Sequence, residues 1–311
     1  MMSCDFGDES ENPVLLTAGG GVNTTLPAMW PWSKFINFDH KGRSVRTLRF
    51  YKASPGGNAT ILVLDPVPES RRGEIAGLLM DATHLQAEQV GFLDLTARPV
   101  RLDMMGGEFC GNACRAAAAV MAREKKGLHG SGAELCGDLS VSGVTQPVRL
   151  RVLSDAHEYW VEMPLPEGSG TQGIAELAPG MGLVRLPGIT HLCLDEELHP
   201  FAEDFAAAAA ALRGRFGLDA EAVGCIWYRT RPVCAIKPVV WVRSTMSTHY
   251  ETGCGSGSMA LALWLGRGQN LPINLRVLQP SGSEIGVQVS PGGPAWIFGP
   301  VTLVARGEAF L

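Results

Sequence analysis

Hydrophobic and polar residues alternate in short stretches from residue 45 onwards, and this pattern predicts many strands and few helices. Residues 45–51 alternate in the way that a half-buried strand does. Further strands are predicted at residues 61–64, 92–95, 100–104, 148–153, 159–163, 188–194, 225–228 and 239–243, followed by three short strands at the C-terminus. Helices are predicted at residues 69–82 and 201–216, and after Cys110 and Cys254.

Residues 1–44 lack a steady periodicity and are predicted to form an N-terminal extension. The triplet Gly19-Gly20-Gly21 lies in this segment. It does not follow a clear strand into a helix, so a phosphate-binding loop is not expected there.

Composition narrows the class of protein. A length of 311 residues favours about two domains, and 46% hydrophobic residues suffice for substantial cores. The net charge of −5 and the lack of a basic cluster argue against a nucleic-acid partner. No apolar stretch is long enough to span a membrane and no signal peptide is recognised, so we expect a cytoplasmic protein without a membrane partner.

Eight cysteines are too few for a disulfide framework in a chain of this length. No Cys-x-x-Cys pair occurs, and no two histidines have ligand spacing, so we expect no metal site. Each cysteine is therefore either a small buried residue or a reactive group. Cys114, one turn into its predicted helix, is expected to pack in the core.

Two segments about half the chain apart resemble each other and indicate an internal duplication. Each begins Cys-Gly, at Cys110 and at Cys254, and continues into an Ala-rich helix that ends with an arginine at the same offset. This predicts two α+β halves, each presenting one thiol at the start of a helix.

A thiol at a helix start suits the transfer of a proton at the α-carbon of an amino acid. The first backbone N–H groups of a helix lack internal partners, so they can bind a carboxylate and are expected to lower the pKa of a nearby thiol. Racemisation needs one base and one acid on opposite faces of the substrate. Two such thiols would supply both without a cofactor, and the helix ends would stabilise the developing negative charge.

These motifs resemble those of the diaminopimelate epimerase family, in which the first thiol stands in Cys-Gly-Asn and the second in Cys-Gly-Ser-Gly. The similarity runs in order over residues 45–311. It includes a Phe-x-Lys and a Gly-Asn element, a Glu-Gln pair, a histidine after a strand start and a closing Gly-Pro. In this sequence these are Phe50, Lys52, Gly57, Asn58, Glu88, Gln89, His191, Gly299 and Pro300.

The resemblance implies an α+β fold of two pseudo-symmetric halves, each a curved, mostly antiparallel sheet wrapped around a central helix. The first half would comprise residues 45–154 plus 299–311, and the second half residues 155–298. It also implies pyridoxal-independent stereoinversion, with Cys110 and Cys254 as the acid–base pair. The substrate-binding residues that it implies, with Glu251 as a substitute for a missing family group, are Asn58, Glu88, Gly111, Asn112, His191, Glu251, Gly255 and Ser256.

The sequence departs from the family where diaminopimelate enzymes grip the far end of their substrate. No asparagine occurs from residue 113 to 269, where two are expected, and Thr245-Met246 replaces a Glu-Arg pair, although Arg243 and Glu251 could compensate. A second zwitterion would leave buried charges unpaired here. We therefore expect a smaller amino acid, and histidine by analogy with related two-thiol racemases.

Other functions remain open at this stage. They are a diaminopimelate epimerase, a phenazine-biosynthesis-type isomerase that uses an acidic residue, a proline racemase-like enzyme and a non-catalytic binding protein. The Cys-Gly-Thr motif of proline racemases is missing, and no Gly-x-Ser-x-Gly elbow supports a hydrolase. The sequence leaves the oligomeric state open, with a homodimer, the commonest oligomer in general, as the candidate.

Overall fold

The structure, a computed structural model, describes residues 36–38, 44–165, 173–243, 245–269 and 272–311. These ranges contain the helices α1 (Glu69–Met80), α2 (Gly111–Glu124), α3 (Phe205–Arg215) and α4 (Gly255–Leu265). The strands are β1 (Ile36–Phe38), β2 (Ser44–Ser54), β3 (Thr60–Val63), β4 (Gln89–Asp94), β5 (Val100–Met104), β6 (Leu128–Ser131), β7 (Glu134–Val141), β8 (Val148–Leu153), β9 (Glu158–Met163), β10 (Ile174–Ala178), β11 (Met181–Leu186), β12 (Ile189–Asp195), β13 (Ala222–Arg229), β14 (Ala235–Val242), β15 (Ser247–Tyr250), β16 (Ile273–Leu278), β17 (Glu284–Val289), β18 (Ala295–Gly299) and β19 (Thr302–Phe310). The fold is α+β, with far more sheet than helix.

The strands join into one long, mostly antiparallel sheet. From β19 the order runs through β2, β3, β4, β5, β7, β8 and β9. β9 also pairs with β18, from which the sheet continues through β17 and β16. One residue pair, Ala235 with Leu278, joins β16 to β14, and β13, β12, β11 and β10 follow. The parallel pairs are β3–β4, β5–β7, β12–β13 and β14–β16.

Two helices are enclosed by separate groups of strands. α2 packs on β2, β3, β7, β8, β9 and β19, whereas α4 packs on β11, β12, β13, β16 and β17. Both helices contribute buried residues to one large apolar core. The alanines of α2 allow the sheet to approach closely, and all its residues from Gly111 to Met121 are buried. The thiol helices therefore form the centre of the molecule.

The other two helices lie on the opposite face of the sheet. Leu62 of β3 packs in the core of α2, whereas its neighbours Ile61 and Val63 pack with α1 in a second cluster. The same alternation along β12 places Leu192 in a third cluster with residues of α3. Among the described residues, no helix combines the length and apolar character needed to cross a bilayer.

Most elements agree with the pattern of apolar residues, and the differences have local causes. The third helix begins at Phe205 and not near residue 201, because the Asp204 side chain accepts a hydrogen bond from the Ala207 amide at 3.0 Å and so caps it there. The C-terminal segment has four strands where three were predicted. The strands β6, β10 and β15 were missed because they are largely exposed or half-buried and show little alternation. The strands β7 and β11 were also missed: β7 is interrupted by Gly137 and Asp138, and β11 is short and almost wholly buried.

The predicted N-terminal extension is described only in part. Strand β1 and the start of β2 lie within residues that were expected to be irregular, and β1 pairs with β2 at Ile36 and Arg46. Cys4 and the Gly19-Gly20-Gly21 triplet lie outside the described residues.

Replacing Gly182 by alanine tests the packing of β11 on α4. A Cβ atom at Gly182 would overlap the indole ring of Trp264, whose side chain is 1% exposed. We expect Gly182→Ala to lower the free energy of unfolding by about 1–3 kcal/mol, the usual cost of overpacking a core. Urea denaturation measures the change.

The matched control is Gly214→Ala in α3, where nothing lies within 4 Å of the added Cβ. There alanine should raise the free energy of unfolding by up to about 1 kcal/mol, because it is the better helix former. Equal stabilities for the two variants would contradict the packing described.

Candidate active site

Cys110 and Cys254 are the N-cap residues of α2 and α4, and the two caps have nearly the same geometry. Cys110 has φ −132° and ψ 110°, and Cys254 has φ −125° and ψ 102°. The Cys110 sulfur accepts a hydrogen bond from the Ala113 amide at 3.5 Å, and the Cys254 sulfur accepts one from the Gly257 amide at 3.3 Å. Each thiol thus takes the place of the usual Ser or Asp cap, beside amides with partial positive charge.

The two helix starts meet at the side chain of Ile297 in β18. A Cβ atom added to Gly111 would lie 2.6 Å from Cδ1 of Ile297, and one added to Gly255 would lie 2.7 Å from the same atom. A methyl group at either position would require the Ile297 side chain to move, so the glycine after each cysteine allows this close approach. The N-termini of α2 and α4 therefore converge on one point of the sheet.

Asn112 links the first thiol helix to the loop before the second thiol. Its Nδ2 atom donates a hydrogen bond to the carbonyl of Gly253 at 3.0 Å, and Gly253 immediately precedes Cys254. The Asn112 side chain is buried, so this bond is shielded from water. The amide fixes the separation of the two helix starts.

The turn between β2 and β3 contacts the same loop. The backbone amide of Asn58 donates to Oγ1 of Thr252 at 2.7 Å, and that hydroxyl donates to Glu88 at 2.6 Å. Gly57 lies so close to this loop that an added Cβ would be 2.6 Å from the Thr252 carbonyl oxygen. Asn58 and Glu88, both predicted site residues, are therefore held against the residues that position the second thiol.

A buried hydrogen-bond network surrounds the first thiol. The half-buried Cys110 donates to Oε1 of Gln89 at 3.1 Å. The Nε2 atom of Gln89 donates to Oδ1 of Asn58 at 2.5 Å and to Oγ1 of Thr60 at 2.7 Å. Gln89 therefore orients the Cys110 thiol. The sequence predicts the neighbouring Glu88, and not Gln89, as a site residue.

The second thiol is more deeply buried, at 3% exposure. The Cys254 amide donates to Oε1 of Gln279 at 2.9 Å, and Nε2 of Gln279 donates to Oγ of Ser258 at 3.0 Å. Oγ of Ser256 lies 3.6 Å from the sulfur. Gln279 thus satisfies a backbone donor that the extended N-cap would otherwise leave unpaired.

Burial raises the pKa of both thiols, which corrects the expectation that a helix start lowers it. Desolvation is the main cause for Cys110, whose pKa is raised to about 11; the hydrogen bond from Ala113 opposes the increase, and the charges of Glu108 and Glu251 add to it. Desolvation, followed by the charge of Glu251, raises the pKa of Cys254 well above its usual range. Both thiols are therefore protonated at neutral pH, and a base must remove a proton before either can act.

Two carboxyl groups near the thiols also have raised pKa values. Desolvation raises the pKa of Glu251 to about 7; its interaction with the Cys254 thiol opposes this increase, and the charge of Glu88 adds to it. Desolvation likewise raises the pKa of Glu108, which precedes the first thiol. Glu251 thus titrates near neutrality beside a thiol, as a general base requires.

Two residues that the sequence offered for the site are not joined to this network in the described ranges. His191 of β12 packs against Gly224, is fully buried, and has no hydrogen-bond partner for either ring nitrogen. Burial lowers its pKa to about 3, so its imidazole is neutral. Arg243 forms ion pairs with Asp219 and Glu221 at the surface, so it does not compensate for the missing family groups.

Sequence reasoning missed Arg115, Thr252 and Gln279 as contributors to the site, and it named Gln89 only as half of a family motif, without a role. Arg115 had a recognisable signal, since a charged residue within an Ala-rich, otherwise apolar helix needs a reason to be there. The two glutamines and the threonine act through the fold, which brings residues from distant parts of the chain to the thiols.

Cys114, which was expected to pack in the core, does so. The seven cysteines in the described part of the chain are all free, and Cys114 is fully buried in the core of α2. Within the same residues, no group of three or more His, Cys, Asp or Glu side chains is arranged to hold a metal ion.

Comparison with known proteins identifies the family. The model of the histidine racemase CntK N-terminal domain matches residues 47–310, which include both thiol motifs. The chain belongs to this family. A histidine racemase of Fusobacterium nucleatum is 28% identical over 270 residues, covering 86% of this chain and 98% of the relative. A histidine racemase of Staphylococcus aureus is 25% identical over 291 residues, with the same coverage. This family member is thus an isomerase of the amino-acid racemase class.

Solved structures agree with this fold. A hydroxyproline epimerase from Agrobacterium vitis, with bound trans-4-hydroxy-L-proline, matches with a TM-score of 0.58 at 12% identity, over 85% of this chain and 93% of that one. A PhzF-family phenazine biosynthesis protein from Bacillus anthracis matches with a TM-score of 0.60 at 12% identity, over 86% of this chain and all of that one. At such low identity these structures establish the fold alone.

Gly57→Ala tests whether the β2–β3 turn positions the second thiol. Gly57 has φ +97°, and an added Cβ would overlap the Thr252 carbonyl. We expect the racemase activity of this family member to fall by at least about 10-fold, because small displacements of a reacting group are costly.

Gly188→Ala is the control, because Gly188 has a similar φ of +80° with open space around it. Both variants pay the strain of a left-handed alanine, about 1–2 kcal/mol, and chemical denaturation should report it for both. Equal losses of activity would show that strain alone, and not the loop before Cys254, is responsible.

Proposed function

We propose that this protein racemises free histidine, using Cys110 and Cys254 as a cofactor-independent acid–base pair. The convergence of two cysteine-capped helix starts on one side chain, Ile297, is the observation that carries the proposal. Family membership supports the reaction class, and the relatives named histidine racemase support the substrate.

The reaction breaks and remakes one C–H bond. The thiolate of one cysteine takes the α-proton, and the electron pair of the broken bond passes to the α-carbon and carboxylate. The thiol of the other cysteine then gives its proton to the opposite face, and its S–H electron pair stays on sulfur. The reverse direction exchanges the two roles, so one thiolate and one thiol are present throughout.

Glu251 supplies the deprotonated thiol in this scheme. Its carboxyl group interacts with the Cys254 thiol, and its pKa of about 7 allows it to be a carboxylate near neutral pH. The Cys254 proton moves to Glu251, which leaves Cys254 as the base for one enantiomer. The role assigned to Glu251 is therefore proton acceptance, in place of the substrate contact expected from the sequence.

The helix starts bind the substrate carboxylate. The carboxylate is assigned to the amides of Gly111, Asn112, Gly255 and Ser256, which lie in the first turns of α2 and α4, where partial positive charge favours an anion. As the α-carbon loses its proton, negative charge spreads onto this carboxylate. Donors already aimed at it stabilise the transition state without reorganisation.

A compact substrate fits the groups that this chain retains. Residues 113–269 contain no asparagine to hold a second amino-acid group. Arg243, which could have replaced a missing cation, pairs with surface carboxylates instead. Asn58 and Glu88 are proposed to orient the substrate. His191 is kept as a proposed substrate contact on the family resemblance alone, because within the described ranges its imidazole forms no hydrogen bond to the groups around the thiols.

We also propose the pseudo-symmetric organisation inferred from the sequence, with residues 45–154 plus 299–311 and residues 155–298 as the two halves. The separate groups of strands around α2 and α4 support it. The homodimer and the cytoplasmic location remain predictions from the sequence.

Serine substitutions test the two-thiol mechanism. We expect Cys110→Ser and Cys254→Ser each to reduce conversion of L-histidine to D-histidine by about 10²–10⁴-fold, the usual contribution of a general acid or base. The assay runs in D2O without pyridoxal phosphate and follows α-deuterium and chirality. Cys136→Ser, in β7, is the control and should keep full activity. Full activity of either site variant would instead favour the phenazine-type mechanism with an acidic residue.

The pH dependence tests the role of Glu251. The carboxylate form is the active one, so kcat/KM should rise with pH through about 7, the raised pKa of Glu251. The pH profile of kcat/KM reports groups of the free enzyme. Glu251→Gln should lose this acidic limb and at least about 10-fold in kcat/KM. An unchanged limb in Glu251→Gln would assign the titration to another group.

A further inference from the structure

Arg115 is a fully buried cation without an ion pair in the described part of the chain. Its side chain is 0% exposed and lies in α2, one and a half turns after Cys110. Its Nη2 atom donates hydrogen bonds to the carbonyl of Pro55 and, at 3.0 Å, to Oδ1 of Asn112. Its Nε and Nη1 atoms have no partner. Burying such a charge is expensive unless an anion or a complete set of acceptors offsets it.

The two hydrogen bonds of Arg115 both lead to the loop before the second thiol. An asparagine amide has one accepting and one donating end. The bond from Arg115 to Oδ1 of Asn112 therefore fixes which end faces the loop, and Nδ2 donates to the Gly253 carbonyl. The other bond holds Pro55, whose turn contacts Thr252 through Gly57.

Two glycines lie beside this guanidinium group. A Cβ at Gly299 would lie 3.1 Å from Nη1 of Arg115, and one at Gly56 would lie 3.7 Å from Nη2. The group thus lies where α2, the β2–β3 turn and the end of β18 meet. A smaller or apolar side chain would leave the Pro55 carbonyl and Asn112 without their donor.

The charges around the first thiol give Arg115 a second effect. Glu108 and Glu251 face Cys110 from the loops before α2 and α4, and both oppose a thiolate. Cys114 follows one turn later in α2 and is a neutral thiol. Arg115 lies in the same helix, one and a half turns after Cys110, and donates to Asn112, two residues after that thiol. Burial lowers the Arg115 pKa to about 10 and the charge of Cys110 opposes that decrease, so a cation here favours the Cys110 thiolate.

We infer that Arg115 is a positioning residue for both thiols: through Asn112 and Pro55 it holds the loop before Cys254, and it is the counter-charge of the Cys110 thiolate. The inference rests on the proposed function for its catalytic meaning. The effect of Arg115 on the reactivity of Cys110 can be measured by alkylation, without any turnover of substrate.

The test compares Arg115→Lys, Arg115→Gln and the control Arg123→Gln, which removes an exposed charge from the same helix. The measurements are the rate of iodoacetamide alkylation of Cys110 at pH 8, read by peptide mass spectrometry, kcat/KM for histidine, and the melting temperature. Thiolate is the form that reacts. Removing a nearby opposite charge typically shifts a pKa by 1 unit or more, so Arg115→Gln should slow alkylation about 10-fold or more.

Arg115→Lys keeps the charge but not the planar fork that bridges Pro55 and Asn112. We expect its alkylation rate to stay within about 3-fold of the unsubstituted protein, while kcat/KM falls about 10-fold because the Cys254 loop is displaced. Arg123→Gln should leave the alkylation rate and kcat/KM within about 2-fold of the unsubstituted protein, since exposed charges are screened.

The inference is overturned if Arg115→Gln alkylates at the control rate, whatever its melting temperature, because Arg115 would then be purely structural. If Arg115→Gln does not fold, Arg115→Lys decides: unchanged kcat/KM overturns the positioning role, and reduced kcat/KM with normal alkylation supports it. Absence of histidine turnover in the unsubstituted protein, together with the expected alkylation pattern, would refute the proposed function while leaving the Arg115–Cys110 interaction supported.

Discussion

The convergence of two helix N-termini on Ile297 is the constraint on which the site depends. Each helix is capped by a cysteine whose sulfur accepts a hydrogen bond from the N3 amide. The glycine after each cysteine lies so close to Ile297 that an added Cβ would displace that side chain. The fold encloses α2 and α4 in separate groups of strands yet brings their starts together. The starts of the two cysteine-capped helices thereby lie close together, and the proposed stereoinversion builds on this closeness, because it needs one thiol on each face of a carboxylate-bearing substrate.

Burial of this site raises the pKa of both thiols, and neighbouring charged residues are proposed to counteract that increase. Desolvation strengthens hydrogen bonds to a developing anion, but it also raises the pKa of both thiols and keeps them protonated. In the proposed mechanism Glu251 accepts a proton at the Cys254 side, and in our inference the buried cation of Arg115 opposes the acidic groups at the Cys110 side. The two thiols thus have different neighbours despite matching backbone geometry, so the halves of the site are chemically distinct.

Local sequence patterns predicted the thiol helices, most strands and the α+β class, because apolar spacing and the Cys-Gly motif are local signals. The same patterns could not predict Gln89, Gln279 or Thr252 as site residues, because their roles arise from contacts between distant segments. The predicted direction of the shift in the thiol pKa values was also wrong. A helix start can be recognised in a sequence, but the depth to which its first residue is buried cannot. Arg115 was predictable in principle, since it interrupts a run of small residues in a buried helix.

The most direct measurement is a crystal structure with α-methylhistidine, which binds as histidine does but has no α-proton to lose. The account predicts the sulfur atoms of Cys110 and Cys254 on opposite faces of the α-carbon, each within about 3–4 Å of it, with the carboxylate at the starts of α2 and α4. Both sulfurs on one face, or a ligand bound away from the Ile297 region, would contradict the two-thiol account.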